Sequence, residues 1–132
     1  MSWKDQINNI CEIAKVLSSC NVAEIEFENG TFFEVYFAMT AQQRKTGLSC
    51  ISEIDLTGML FCYDEPTFIP FSMQNTLIPL DIAWYDEKGT LLQMGTYKPL
   101  TSEPICCPVP FSFVLETPIG KLPSGNMRLR KN

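Results

Sequence analysis

Fifteen carboxylates, six cysteines and no histidine set the chemistry open to this chain. Without an imidazole there is no Ser-His-Asp or Cys-His catalysis, no His-ligated zinc and no His-based pH switch. The cysteines are Cys11, Cys20, Cys50, Cys62, Cys106 and Cys107. None are spaced C-x-x-C, so neither a thioredoxin-like site nor a standard zinc knuckle is indicated. A nucleophilic Cys50, Cys62 or Cys106 would need a lysine, an arginine or a helix N-terminus to activate it. Asp55 with Asp81, or Asp64 with Glu65, could act as acid and base if paired, although adjacent residues in an extended strand point apart. Asp81, Asp86 and Glu116 could hold a hard cation, but no EF-hand spacing is present. The residues therefore define no catalytic set, no metal site and no cofactor.

Ten basic residues against fifteen acidic ones leave a net charge of −5. That balance repels phosphate backbones unless a local patch overrides it. Lys121, Arg128, Arg130 and Lys131 make the C-terminal segment basic. No aromatic residues interleave them, so nucleic acid is not the expected partner. No apolar run is long enough to span a bilayer. Lys4, Asp5, Glu12 and Lys15 interrupt the opening segment, which lacks the apolar stretch and cleavage site of a secretory signal. The expected compartment is a reducing cytoplasm, with the cysteines packed as small hydrophobes. At 132 residues and 45% apolar composition, the chain is long enough for one domain with a proper core.

The elements follow from periodicity. Ser2 and Asp5 read as a helix cap, and Trp3, Ile7, Ile10, Ala14 and Leu17 form one apolar stripe ending near residue 19. Residues 22–37 read as a hairpin. With Glu28-Asn29-Gly30 as a three-residue loop, Ile25 faces Phe33 and Ala23 faces Val35, which places the apolar set on one face. The acidic run Glu24, Glu26 and Glu28 then lies on the other face, towards water. Thr40 and Gln43 form a capping box for a short helix that Gly47 stops. Residues 60–63 read as a strand, and Pro70 makes residues 68–73 an edge or irregular strand. Residues 80–85 and 90–94 form a second hairpin, residues 98–110 a proline-stiffened connector, and residues 111–116 a last strand. The expected fold is α+β, predominantly β: one compact, curled or barrel-like sheet with an N-terminal helix and one short internal helix. In domain terms, residues 1–20 are a helix packing on the body, 22–120 the β-rich domain and 121–132 a polar basic tail.

Residues 58–82, GMLFCYDEPTFIPFSMQNTLIPLDI, carry a resemblance to the uncharacterised family known as domain of unknown function 192. The matching residues are Gly58-Met59-Leu60-Phe61, Phe71, Met73, Asn75-Thr76 and Ile78-Pro79-Leu80-Asp81-Ile82. Arg44 with Gly47-Leu48 resembles the family's upstream R-x-x-G-L element. Phe113-Val114-Leu115-Glu116 with Gly120 resembles its V-L-E-x-x-x-G element. Ser72 stands where the family usually has Trp, Gln74 replaces Lys and Ser49 replaces Met. The resemblance implies a compact β-rich domain and no established reaction. Family members also occur in phages, which would suit a chain without an export signal.

Arg44, Asn75, Thr76 and Asp81 are the polar focus of this motif. In one reading Asn75 and Asp81 latch a turn whose φ Pro79 helps fix, with Arg44 as charge partner. In the other, Arg44, Asn75 and Asp81 converge at the rim of an apolar pocket and bind a small polar ligand. Gly47, Gly58, Met59, Phe71, Met73, Pro79, Glu116 and Gly120 are read as structural motif positions. The expected function is a non-enzymatic binding or interaction domain. The alternatives are a protein partner, virion-associated or otherwise, or a second copy, docking through residues 3–17, and a small-molecule hydrolase without histidine.

Overall fold

The computed structural model describes residues 16–129. The amphipathic stripe expected in residues 3–17, and the docking role read from it, fall almost wholly outside them; residues 16–19 are helical. Seven strands follow: β1 (Asn21–Phe27), β2 (Phe32–Ala38), β3 (Gly58–Thr67), β4 (Leu80–Tyr85), β5 (Leu91–Tyr97), β6 (Phe111–Pro118) and β7 (Met127–Arg128). The helix α1 (Ala41–Thr46) lies between β2 and β3. All the strands belong to one sheet in the order β5-β4-β6-β3-β2-β1-β7, antiparallel except for the β2–β3 pair.

The first hairpin has the register that its apolar pattern requires. Ile25 faces Phe33 and Ala23 faces Val35. Gly30, at φ +87°, closes the three-residue loop, and its N–H donates to the Phe27 carbonyl at 2.9 Å. The helix α1 is capped as its sequence predicts. Gln43 N–H donates to Thr40 Oγ1 at 3.1 Å, while Gln43 Oε1 accepts from the Thr40 and Met39 amides at 3.1 and 3.0 Å. Gly47 ends it at φ +50°, and a β-carbon there would sit 3.1 Å from the Phe61 ring. In the second hairpin, Asp86 Oδ1 accepts from the Lys88 and Thr90 amides, both at 2.9 Å.

Side-chain alternation divides the sheet into two apolar faces. Phe27, Val35, Leu60, Ala83, Tyr85, Leu115 and Met127 pack on one. Met59, Phe61, Leu80, Ile82, Trp84 and Val114 pack on the other, beneath α1 and the loops. The first face is concave, because Phe27 of β1 and Tyr85 of β4 stand with ring centroids 6.4 Å apart although three strands separate them in the sheet. The curl brings the strand ends together. Met127 N–H donates to the Gly89 carbonyl at 2.9 Å, and Leu91 N–H donates to Asn126 Oδ1 at 2.8 Å. Gly89 permits this closure with φ +86° and no side chain, since a β-carbon would lie 2.5 Å from the Met127 carbonyl oxygen.

Three details differ from the sequence reading. The segment read as a polar tail instead contributes β7, because Met127 is apolar enough to close the inner core, and Arg128 pairs with Glu26 at 3.6 Å. Glu26 is thus partly covered rather than fully solvated. Residues 68–73 form no named strand; Phe71 makes a single bridge to Ile105, donating and accepting at 2.9 and 2.7 Å. Strand β3 runs on to Thr67, past Pro66, with an irregular register against β6 after Cys62.

Candidate functional site

A cleft of about 470 Å³ opens on the outer face, between α1 with the following turn and the loop of residues 69–76. Its base is the sheet itself. Phe61 and Tyr63 come from β3 and Glu116 from β6, on the same face because Met59 pairs with Glu116 and alternation carries Phe61 and Tyr63 to that side. Phe71 forms an apolar wall, set edge-on to Phe61 at 5.2 Å and to Trp84 at 6.2 Å. Ser49, Ser72, Gln74 and Asn75 give the lining its neutral polar groups, and Lys45 adds a second cation.

Arg44 is fixed before any ligand arrives. Its Nη1 donates to the Met39 carbonyl and, at 3.0 Å, to the Cys62 carbonyl, while the guanidinium lies 4.8 Å from the centre of the Tyr63 ring. The two carbonyls and the Tyr63 ring together hold the guanidinium plane. Nε and Nη2 make no hydrogen bond to a described residue.

Glu116 is the exceptional group. It is 5% exposed, lines the cleft, and has no hydrogen-bond or ion-pair partner among the described residues. Burial pushes its carboxyl up to about 8, which keeps it protonated at neutral pH. Burial likewise raises Tyr63 to about 12; Arg44 partly opposes this and Glu116 adds to it, so the phenol also stays neutral. The Cys62 thiol is raised to about 11 by burial despite the nearby guanidinium. As a protonated thiol at neutral pH it is a poor nucleophile.

The predicted polar focus is divided by the structure. Arg44, Asn75 and Thr76 line the same cleft, whereas Asp81 is not among the lining residues. Asp81 is buried at 9% exposure, where Oδ1 accepts from the Thr96 hydroxyl and Oδ2 from the Gly120 N–H at 2.8 Å. Asp81 thus ties β4 to β5 and to the turn after β6, with Thr96 and Gly120 as its partners and no contact with Arg44 or Asn75. Asn75 holds the cleft wall through its backbone, its carbonyl accepting from Cys50 N–H at 2.8 Å. Thr76 is buried and ties the loop to residues 73 and 100 through its own N–H and carbonyl. Asp55 receives the Tyr36 hydroxyl instead of pairing with Asp81.

The other motif residues serve the frame. Met59 and Met73 are buried in the outer core, and Gly58 lets β3 approach β6 so closely that a β-carbon would meet the Glu116 carbonyl oxygen at 2.2 Å. Gly120 receives the Asp81 carboxylate. The sequence reading grouped Glu116 with these frame positions and passed over Lys45 and Tyr63. The signal for Glu116 lay in the strand period: it shares the apolar, core-packed face of Val114, where an acid is out of place unless it has a purpose.

Residues 23–128 match the family model DUF192, described as "Uncharacterized ACR". The chain belongs to this family. A solved structure from Sinorhizobium meliloti, provisionally described as a transcription regulator, is 26% identical, with a TM-score of 0.71 over 81% of this chain and 89% of that one. A protein of unknown function from Novosphingobium aromaticivorans is 24% identical, with a TM-score of 0.71 over 83% and 85% of the two chains, and shows the same fold. Among curated proteins none matches. Neither solved relative has a phage source, so the expected phage origin has no support. The family assignment agrees with the single curled, mostly β sheet. Among the described residues no helix is long and apolar enough to cross a membrane, and no group of three or more metal-ligating side chains is found.

Proposed function

We propose that this DUF192 domain binds a small molecule in the cleft between α1 and residues 69–76, and binds it without turning it over. The observation that carries this reading is Glu116, a carboxyl 5% exposed and unpartnered among the described residues at the base of an open cleft. Asp81 on the neighbouring strand has both carboxylate oxygens taken by protein donors, whereas the Glu116 carboxyl gives on to the cleft with its hydrogen-bonding capacity unspent on any described residue. The surroundings support recognition: aromatic walls from Phe61 and Phe71, a pre-positioned guanidinium from Arg44, and a volume within the range of ordinary ligand pockets. The lining holds no thiol, since the Cys62 side chain packs on the other face of the sheet.

The test is native mass spectrometry of the intact protein after incubation with a bacterial small-molecule extract, followed by gentle desalting. The wild type is expected to retain a discrete low-mass adduct that Glu116→Leu loses while keeping its circular dichroism spectrum. Recovery of the same adduct on Glu116→Leu, or of none on the wild type, would overturn the proposal.

A further inference from the structure

Resting on that reading, we infer that the ligand is a small organic carboxylate whose charged group sits on Arg44, whose apolar body lies against Phe61 and Phe71, and which offers a second group as acceptor to Glu116. Three features of the cleft select this class. First, its charge is one-sided. Arg44 and Lys45 line it, and Glu116 is the sole carboxyl among the lining residues. Second, the guanidinium is only half used. Nη1 serves two backbone carbonyls, and the Nε–Nη2 edge, the side-on fork that matches a carboxylate in a bidentate pair, has no described partner. Because Tyr63 and the two carbonyls already hold Arg44 in place, little side-chain entropy remains to be lost when an anion docks.

Third, Glu116 is set up as a donor. A protonated carboxyl carries one O–H and seeks an acceptor, and burial keeps Glu116 in that form through neutral pH. The charged and titratable groups that share the cleft lining with it are Arg44 and Lys45 from α1 and Tyr63 from β3; residues 69–76 supply none. A cationic ligand would have to pass two positive side chains and ionise a buried acid. An inorganic anion would leave Phe61 and Phe71 uncovered. An amphiphilic carboxylate suits the charge, the walls and the donor together.

The experiment titrates the full chain with three matched probes, 4-hydroxyphenylacetate, 4-hydroxyphenylacetamide and tyramine, with inorganic phosphate as a fourth, following amide resonances of residues 44–49 and 69–76. The acid is expected to bind about tenfold or more tightly than the neutral amide, a difference on the order of one charge-assisted bidentate pair. Tyramine and phosphate are expected to bind more weakly still. Arg44→Gln should bring the acid down to the level of the amide. The affinity of the wild type for the acid should fall between pH 6.5 and 9 as Glu116 ionises, and Glu116→Gln should abolish that fall. If Arg44→Gln does not fold, the probe ranking and the Glu116→Gln pH profile decide. Tighter binding of tyramine, the amide or phosphate at the cleft would overturn the carboxylate assignment while leaving a ligand site intact. Silence from all four probes would overturn the assignment too, and the adduct measurement above judges the broader proposal separately.

Discussion

Asp81 and Glu116 lie on paired strands one register step apart, for Ile82 faces Glu116 and Asp81 faces Thr117. Both are acids buried to 9% exposure or less. Alternation turns them to opposite faces of the sheet, and there their circumstances diverge. Asp81 has a hydroxyl on one oxygen and a backbone amide on the other. Glu116 has neither, and a cleft opens above it. Asp81 joins three segments of chain, since Thr96 belongs to β5 and Gly120 follows β6. Glu116 joins nothing among the described residues. On the proposed reading the contrast separates an acid kept for architecture from one kept for recognition by a simple criterion, whether its hydrogen-bonding capacity is already spent.

Substitutions sharpen the contrast. The largest effect is expected from Asp81→Ala, which strands the Gly120 N–H and Thr96 hydroxyl and should cost about 3 kcal/mol in urea unfolding. A neutral result would break the comparison by making Asp81 dispensable. Glu116→Gln should move stability in the opposite direction. Glu116 titrates near 8 in the folded protein against its usual 4.5, so folding takes up a proton between those values and stability falls as pH rises through that window. The amide cannot ionise, so the variant should be more stable than wild type near pH 6 by about 2 kcal/mol, and little different near pH 4. A pH-stability profile unchanged by Glu116→Gln would mean that another group governs it. The smallest effect is expected from Thr96→Val, which removes one of Asp81's two donors. Thermal unfolding should register a loss of about 1 kcal/mol, with the Gly120 bond persisting.

How far sequence alone reaches is clear from particular elements. The first hairpin was readable to the residue, because a one-residue slip would have sent Ile25, Phe27, Phe33 and Val35 to the wrong face. The Thr40–Gln43 box was readable because capping is local chemistry. Strand β7 was not. Two residues carry no period, and the reason Met127 is buried, closure against Gly89, involves a turn far away in sequence. The polar focus was read in part. Arg44, Asn75 and Thr76 do share a cleft, but Asp81 was grouped with them by motif proximity, and nothing short of three-dimensional register reveals that it faces the other way. Glu116 stood on the same face as Val114 in an apolar strand all along, and its isolation depends on which groups the fold leaves out of reach.

The lone parallel pairing in the sheet has an evolutionary consequence. Two strands running the same way cannot be joined by a tight turn, so the chain must leave β2 and return to the start of β3 by a detour, and that detour carries α1, Arg44 and Lys45. One wall of the cavity is therefore built from a segment whose length the ladder does not dictate. Insertions or deletions there can resize the opening and exchange its cations without disturbing a single rung of the sheet, so on the proposed reading diversification of ligand choice among relatives of this chain should concentrate in this detour.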